Sequence, residues 1–317
     1  MPQPAIRLSG VSKSFGHTRA VEDLDLSVPR GSIYGLLGPN GAGKTTTIRI
    51  MLDIIGPDAG EVAVLGRPVD DEVRARIGYL PEERGLYQKM KVSEQLEFFG
   101  RLKGLGRQEA RREASAGLER LDLSDRADEK VEALSKGMQQ KVQFLSTILH
   151  RPDLLILDEP FSGLDPINVD VLKSIVLERK RDGATVLFST HMIEDAERLC
   201  ERVCMIAGAR KVLDGTIAEV KAGYRSRDVA IAFEGDGSFL DDRGLVERVS
   251  DRGRHVEVHL ADGADPQALL EKAIGCGVRI QRFELVEPSL RAIFLEKAGA
   301  GRPGGDGDVE ARRAGAA

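Results

Sequence analysis

The sequence predicts an α/β core with a largely parallel sheet, followed by a small α+β domain. Three observations carry this. Short apolar runs of strand length, among them Ile33–Leu37, Leu154–Leu157 and Thr185–Ser189, alternate with stretches of helical periodicity. The helical pattern from Asn168 to Lys180 lies between two of those runs and makes a strand–helix–strand unit, which implies a parallel pair. After about Tyr224 the pattern changes to alternating strands interspersed with two helical segments.

Taken in order, Ile6–Phe15 reads as extended, and Gly31–Leu37 is a β-rich apolar run that stops at Gly38. A helix pattern opens at Thr45, with Ile48, Met51, Leu52 and Ile55 on one face. Glu61–Leu65 and Arg76–Leu80 read as short strands. From Ser93 to Leu123 apolar residues recur at helical spacing (Leu96, Phe99, Leu102, then Ala110, Ala114, Leu118, Leu121), with Ser93 the expected N-cap. This reads as a helical insertion, about residues 90–150, between two halves of the core. The later part predicts strands at Asp228–Phe233, His255–Leu260 and Val278–Leu285 and helices at Asp265–Ile274 and Pro288–Lys297. The expected domains are therefore 1–223 and 224–298. Residues 299–317, rich in Gly, Ala and charge without periodicity, are expected to be a disordered tail.

Composition sets outer limits. With 317 residues and 41% hydrophobic content the chain can bury real cores, so a wholly disordered protein is excluded. A formal net charge of -5 argues against a broad basic surface, and no nucleic-acid partner is expected. Met1-Pro2-Gln3-Pro4 lacks the charged and apolar regions of a secretory leader. Three cysteines cannot all pair within one chain, and a reducing cytoplasm is the expected compartment. Cys200 and Cys204 have no further cysteines or histidines at ligand spacing, so a metal site there is not expected. No apolar run reaches the roughly 20 residues of a membrane-spanning helix.

The strongest chemical signal is Gly38-Pro39-Asn40-Gly41-Ala42-Gly43-Lys44-Thr45, which matches G-x-x-x-x-G-K-[ST] between a predicted strand and a predicted helix. Its glycines let successive N–H groups converge on phosphates, and the helix N-terminus, with Thr46, adds a favourable dipole. Lys44 supplies a point charge for the terminal phosphates, and the Thr45 hydroxyl suits Mg²⁺. The apolar run Leu154–Leu157 ends in Asp158 and Glu159. Asp158 is expected to hold the Mg²⁺ shell and Glu159, on the other side of the pleat, to polarise an attacking water, with Pro160 ending the strand. His191, at the end of the next strand, is either structural or a hydrogen-bond donor to the γ-phosphate or the water.

Leu134-Ser135-Lys136-Gly137-Met138-Gln139-Gln140 precedes the Asp158 strand and opens a helix pattern. Together with the preceding motifs, this resembles the ATP-binding cassette (ABC) family over roughly Ile6 to Gly223. The resemblance implies a P-loop NTPase cassette with a helical subdomain, working with ATP and Mg²⁺. By the same resemblance Phe15 stacks on the adenine, Ser162-Gly163-Leu164-Asp165 forms the D-loop, and Glu82 takes the place of the Q-loop glutamine as a Mg²⁺ ligand. Ser135 and Gly137 would face the γ-phosphate bound by a second cassette, so a homodimer is implied. In the signature, Lys136 and Met138 replace a glycine and a glutamine of the family pattern, which leaves its hydrogen bonding open.

Those departures, with the stretch Tyr79–Tyr87 and the added α+β domain, resemble the bacterial sodium-exporter type of ABC ATPase subunit. That resemblance implies an exporter's ATPase, cytoplasmic and peripheral on the inner face of the membrane, driving a separate transmembrane permease. Leu86, Met90, Phe98 and Phe99 lie where the family docks a permease helix; they serve either that contact or the insertion's own core. A soluble ABC-type ATPase acting on DNA repair or ribosomes is the competing reading, though the chain has one cassette and no sustained heptads. A small-molecule P-loop kinase does not explain the signature segment. The acids Asp236, Asp241 and Asp242 of the second domain read as cation-sensing or simply solvating.

Overall fold

The computed structural model describes residues 3–83, 85–224, 227–286 and 288–300. The chain forms two compact units, one ending at Ala218 and one beginning at Glu219.

In the first unit the elements are β1 (Ile6–Phe15), β2 (Thr18–Val28), β3 (Ile33–Leu37), α1 (Lys44–Met51), β4 (Ala59–Val64), α2 (Asp71–Ala75) and β5 (Ile77–Leu80). The helical segment follows as α3 (Val92–Leu102), α4 (Arg107–Arg120) and α5 (Lys136–Ile148). The core resumes with β6 (Leu154–Asp158), α6 (Pro166–Arg181), β7 (Thr185–Thr190), α7 (Ile193–Leu199), β8 (Arg202–Ala207) and β9 (Arg210–Thr216). Helix α8 (Ile217–Ala222) comes next.

The six-stranded sheet has the order β5-β6-β7-β3-β8-β9. All its neighbouring pairs are parallel except β8 with β9. Strands β3, β6 and β7 are buried along their whole length, which is why they read as continuous apolar runs rather than alternating ones. Register places Leu37 opposite Thr190 and Asp158 opposite Ser189, so the carboxyl ends of three central strands finish together. In open α/β sheets that edge is where ligands bind.

A separate antiparallel sheet, β2-β1-β4, packs its inner residues Ile6, Leu8, Val21, Leu24 and Leu26 into one core with Ile48 of α1 and with Leu36 and Ile156 of the main sheet. The sequence reading has no counterpart for β2. Its inner positions Val21 and Leu24 are three apart because Asp23, with φ 46°, inserts a bulge, and the alternation that marks a strand is lost. Acids on its outer face weaken the signal further. Strands β8 and β9 and helices α2 and α7 were likewise not anticipated.

Two local expectations are corrected. Helix α1 stops at Met51, because Asp53 turns into the left-handed region at φ 55°; Ile55 is therefore outside it. The N-cap of α3 is Lys91, not Ser93. The Val92 and Ser93 N–H groups donate to the carbonyls of Glu129 and Ala127 at 3.0 and 2.9 Å. Backbone from a distant loop thus satisfies the helix start, and a side-chain cap is not required.

The second unit carries β10 (Asp228–Glu234), β11 (Val246–Asp251), β12 (Val256–Leu260), α9 (Pro266–Gly275), β13 (Arg279–Leu285) and α10 (Leu290–Ala300). Its sheet, β11-β12-β10-β13, is wholly antiparallel. Phe239, Val258, Leu269 and Ala273 are central to its core. Helix α10 runs on through Gly299 and Ala300, so the expected disordered tail does not begin at 299; residues 301–317 lie outside the described residues. Among the described residues no helix is long and apolar enough to cross a membrane.

Candidate nucleotide site

The loop between β3 and α1 is shaped by two glycines that touch other backbone. A Cβ on Gly38 would lie 2.3 Å from the Ile206 carbonyl oxygen, and one on Gly43 would lie 2.1 Å from that of Ala20. Gly43 also has φ 105°, a conformation that L side chains rarely adopt. No side chain fits at either position.

Lys44 is 6% exposed. Its Nζ donates to the carbonyls of Gly38 at 2.8 Å and Pro39 at 3.2 Å and stands 3.8 Å from Glu159 Oε1. Burial holds its pKa below the ordinary lysine range, against the opposing pull of Glu159, Asp158 and Glu82. The Thr45 hydroxyl donates to Asp158 Oδ2 at 2.9 Å, while the buried Ser189 hydroxyl donates to Asp158 Oδ1. Two hydroxyls therefore orient one fully buried carboxylate.

Glu159 departs from the expected arrangement. Strand β6 ends at Asp158, before Pro160 is reached, and Glu159 has a left-handed backbone at φ 49°. Its direction is consequently set by that turn and not by the pleat. A non-glycine residue in this conformation costs on the order of 1 kcal/mol and persists where its surroundings impose it. Three groups from the end of β7 do so. The His191 N–H donates to Oε1 at 3.0 Å, His191 Nδ1 lies 2.9 Å from the same oxygen, and the Thr190 hydroxyl donates to Oε2 at 3.2 Å. His191 follows the last residue of β7 and is half exposed, so its ring is held on one side and open on the other.

Lys44, Thr45, Asp158 and Glu159 line a cavity of about 420 Å³ with Asn40, Gly41, Ala42, Gly43, Thr46 and Glu82, whereas Ser189, Thr190 and His191 are not part of its lining. Thr18, Arg19 and Ala20 complete its wall. The sequence reading missed these three. The only available signal was their position just after Phe15, at a hairpin it did not recognise. Phe15 is exposed at the end of β1 beside the cavity wall, with Lys13 Nζ 5.7 Å from its ring centre. It is not part of the cavity lining, and neither are Ser135 and Gly137. Ser135 is the N-cap of α5, its hydroxyl accepting from the Met138 N–H at 3.3 Å.

The approach to the helical segment divides its apolar residues. Leu86 is buried and Phe98 exposed, with Met90 and Phe99 between. Tyr87, Phe98 and Phe99 form an aromatic cluster with ring centres 5.6 to 6.1 Å apart. Beside it lies a groove of about 300 Å³ lined by Leu86, Phe99, Leu102, Lys103 and His150 among others.

Comparison with known proteins agrees with this geometry. Residues 21–162 match the family described as ABC transporter, and residues 215–298 match the C-terminal domain of ATP-binding proteins of the DrrA1-3 type. The chain is 44% identical to the ABC transporter ATP-binding protein YhaQ of Bacillus subtilis, over 93% of this chain and 99% of that protein. It is 37% identical to a Nod factor export ATP-binding protein I of Paraburkholderia xenovorans, over 86% and 91%. A solved ATP-binding subunit of an ABC transporter superposes with a TM-score of 0.65 at 32% identity, covering 69% of this chain and 92% of that one. A polyphosphate loop, a paired carboxylate edge and whole-length similarity lead to one statement: the chain belongs to the ABC transporter ATP-binding proteins, a family of ATPases.

Proposed function

We propose that the chain is the motor of an exporter, in which two cassettes enclose two ATP molecules and drive a separate membrane permease from the inner face of the membrane. The observation that carries the hydrolytic part is Glu159, fixed by Thr190 and His191 at 3.8 Å from the Lys44 ammonium. Glu159 accepts the proton of the attacking water, and His191 holds that carboxylate and reaches the γ-phosphate from its exposed side. Lys44, Asn40, Gly41 and the loop N–H groups take the phosphates. The oxygens of Thr45, Asp158 and Glu82 are hard donors on one wall, a set that suits Mg²⁺. When bound there, the ion supplies charge neutralisation on the phosphates. Phe15 takes the adenine, and Ser135 and Gly137 act on the nucleotide of the second cassette.

Export is supported by the Nod factor relative. The resemblance of the signature segment to sodium exporters agrees in direction but points to a different cargo. We read residues 1–223 as the cassette and 224–298 as an accessory module, a boundary five residues beyond the division of the two units at Ala218. Phe98, Tyr87 and the groove beside them, whose wall includes the buried Leu86, are the permease contact.

Glu159→Gln tests the mechanism. Hydrolysis should fall by about two orders of magnitude or more while ATP binding persists. Unchanged turnover would remove Glu159 from the base role. Co-purification with a hydrophobic membrane protein tests the transport reading, and preferential recovery with ribosomes or DNA would sink it.

A further inference from the structure

Two buried glutamines on one face of α5 make contacts that packing alone does not require. Gln140 and Gln143 are neighbours at i and i+3 spacing, 5% and 4% exposed. The Gln140 amide donates to the Pro160 carbonyl at 3.2 Å, and Pro160 directly follows Glu159. The Gln143 amide donates to the carbonyls of Pro81 and Glu83 at 3.4 and 3.2 Å, the two that bracket Glu82. One helix face therefore grips the backbone beside both loop-borne carboxylates of the nucleotide cavity.

From this, and resting on the nucleotide-sandwich reading above, we infer that Gln140 and Gln143 are positioning residues that tie the signature helix to Glu159 and Glu82. A buried amide carries a desolvation cost that a leucine of similar volume avoids, and Gln143 Oε1 meets no donor among the described residues. Apolar packing alone would favour leucine at both positions; the amides serve the carbonyls that they hold. The left-handed backbone of Glu159 needs contacts on both sides. Its own N–H donates to the Ser189 carbonyl at 3.1 Å, and Gln140 holds the next carbonyl. Glu82 is exposed and lies in neither a strand nor a helix, so Gln143 supplies its anchorage. The N-terminus of this same helix carries Ser135 and Gly137. Engagement of that end by the second cassette's nucleotide moves α5, and α5 carries the two carboxylates with it. Hydrolysis in a cassette thus depends on whether its signature segment is engaged.

The test compares the full chain with Gln140→Leu and Gln143→Leu, measuring ATP turnover, ATP affinity and thermal melting. Each variant should lose about ten-fold in kcat, because small misplacements of catalytic groups are costly, while ATP affinity changes less than about two-fold. Gln143→Leu alone should also raise the Mg²⁺ concentration needed for half-maximal rate, since it releases Glu82. Wild-type kcat and Mg²⁺ dependence in both variants would overturn the inference. So would losses that appear as strongly in ATP affinity as in kcat. If either leucine variant fails to fold, the methionine variant repeats the measurement; failure of that too assigns the glutamines to stability and overturns the proposal. A wild-type chain without ATPase activity would count instead against the function proposed above.

Discussion

Protonation of His150 should weaken the first unit as pH falls. His150 follows α5, and its Nε2 lies 3.2 Å from the Ile77 carbonyl of β5. Burial, reinforced by the nearby Lys103 ammonium, pushes its pKa down from the ordinary 6.5 to about 4. Lys103 Nζ donates to that same carbonyl at 2.9 Å, so a protonated imidazole would sit beside a cation already in place. The folded pKa is depressed below the unfolded one, so the unfolded chain binds the proton first. Stability is full above about pH 6.5 and is lost as pH falls toward about 4. Linkage gives about 2 kcal/mol lost between about pH 7.5 and pH 5, reduced toward about 1 kcal/mol by partial solvent screening. Urea unfolding followed by circular dichroism at the two pH values measures this, with His150→Gln as the reference that removes the titration. The wild type should lose that amount more than the variant. Parallel losses in the two proteins would refute the reasoning.

Other outcomes follow from the same contacts. Gly43→Ala places a methyl group 2.1 Å from the Ala20 carbonyl oxygen at a strained φ, so it should abolish ATP binding and lower the melting temperature of the first unit. Lys44→Ala should weaken ATP binding by more than about ten-fold in a filter or fluorescence assay, with melting unchanged or raised, since a desolvated ammonium is removed. Arg19→Ala, at the cavity wall, should weaken ATP binding by about three-fold, an effect that shrinks as salt is raised. Phe239→Ala empties the centre of the second core, where its ring stands 4.9 Å from that of Phe233, and should cost about 3–5 kcal/mol in the unfolding of that unit. Hydrolysis by the first unit should survive it.

The phosphate loop was legible because its chemistry is fixed by spacing: glycines where backbone approaches backbone, then a lysine and a hydroxyl at the start of a helix. The buried parallel strands were legible as unbroken apolar runs. What escaped was set by distant parts of the chain. Strand β2 was hidden by the bulge at Asp23, the cap of α3 is made by carbonyls some 35 residues away, and Arg19 reaches the cavity only once β2 exists. Glu159 was found by its place after an apolar strand, but its direction comes from a left-handed turn that no pattern of side chains announces. In the sequence Gln140 is only the end of the signature segment and Gln143 carries no signal; their importance depends on which carbonyls lie opposite.

The approach of Gly43 to the Ala20 carbonyl has a bearing on how this protein can vary. Backbone meets backbone there, so changing the side chain of residue 20 leaves the approach itself untouched. A change in the length of the turn between β1 and β2 would be different, because it would shift the Ala20 carbonyl along the strand. The effect would be felt at the phosphate loop. Side-chain drift at residue 20 is therefore cheap, while insertions and deletions in the hairpin should be selected against as firmly as changes to the glycines themselves.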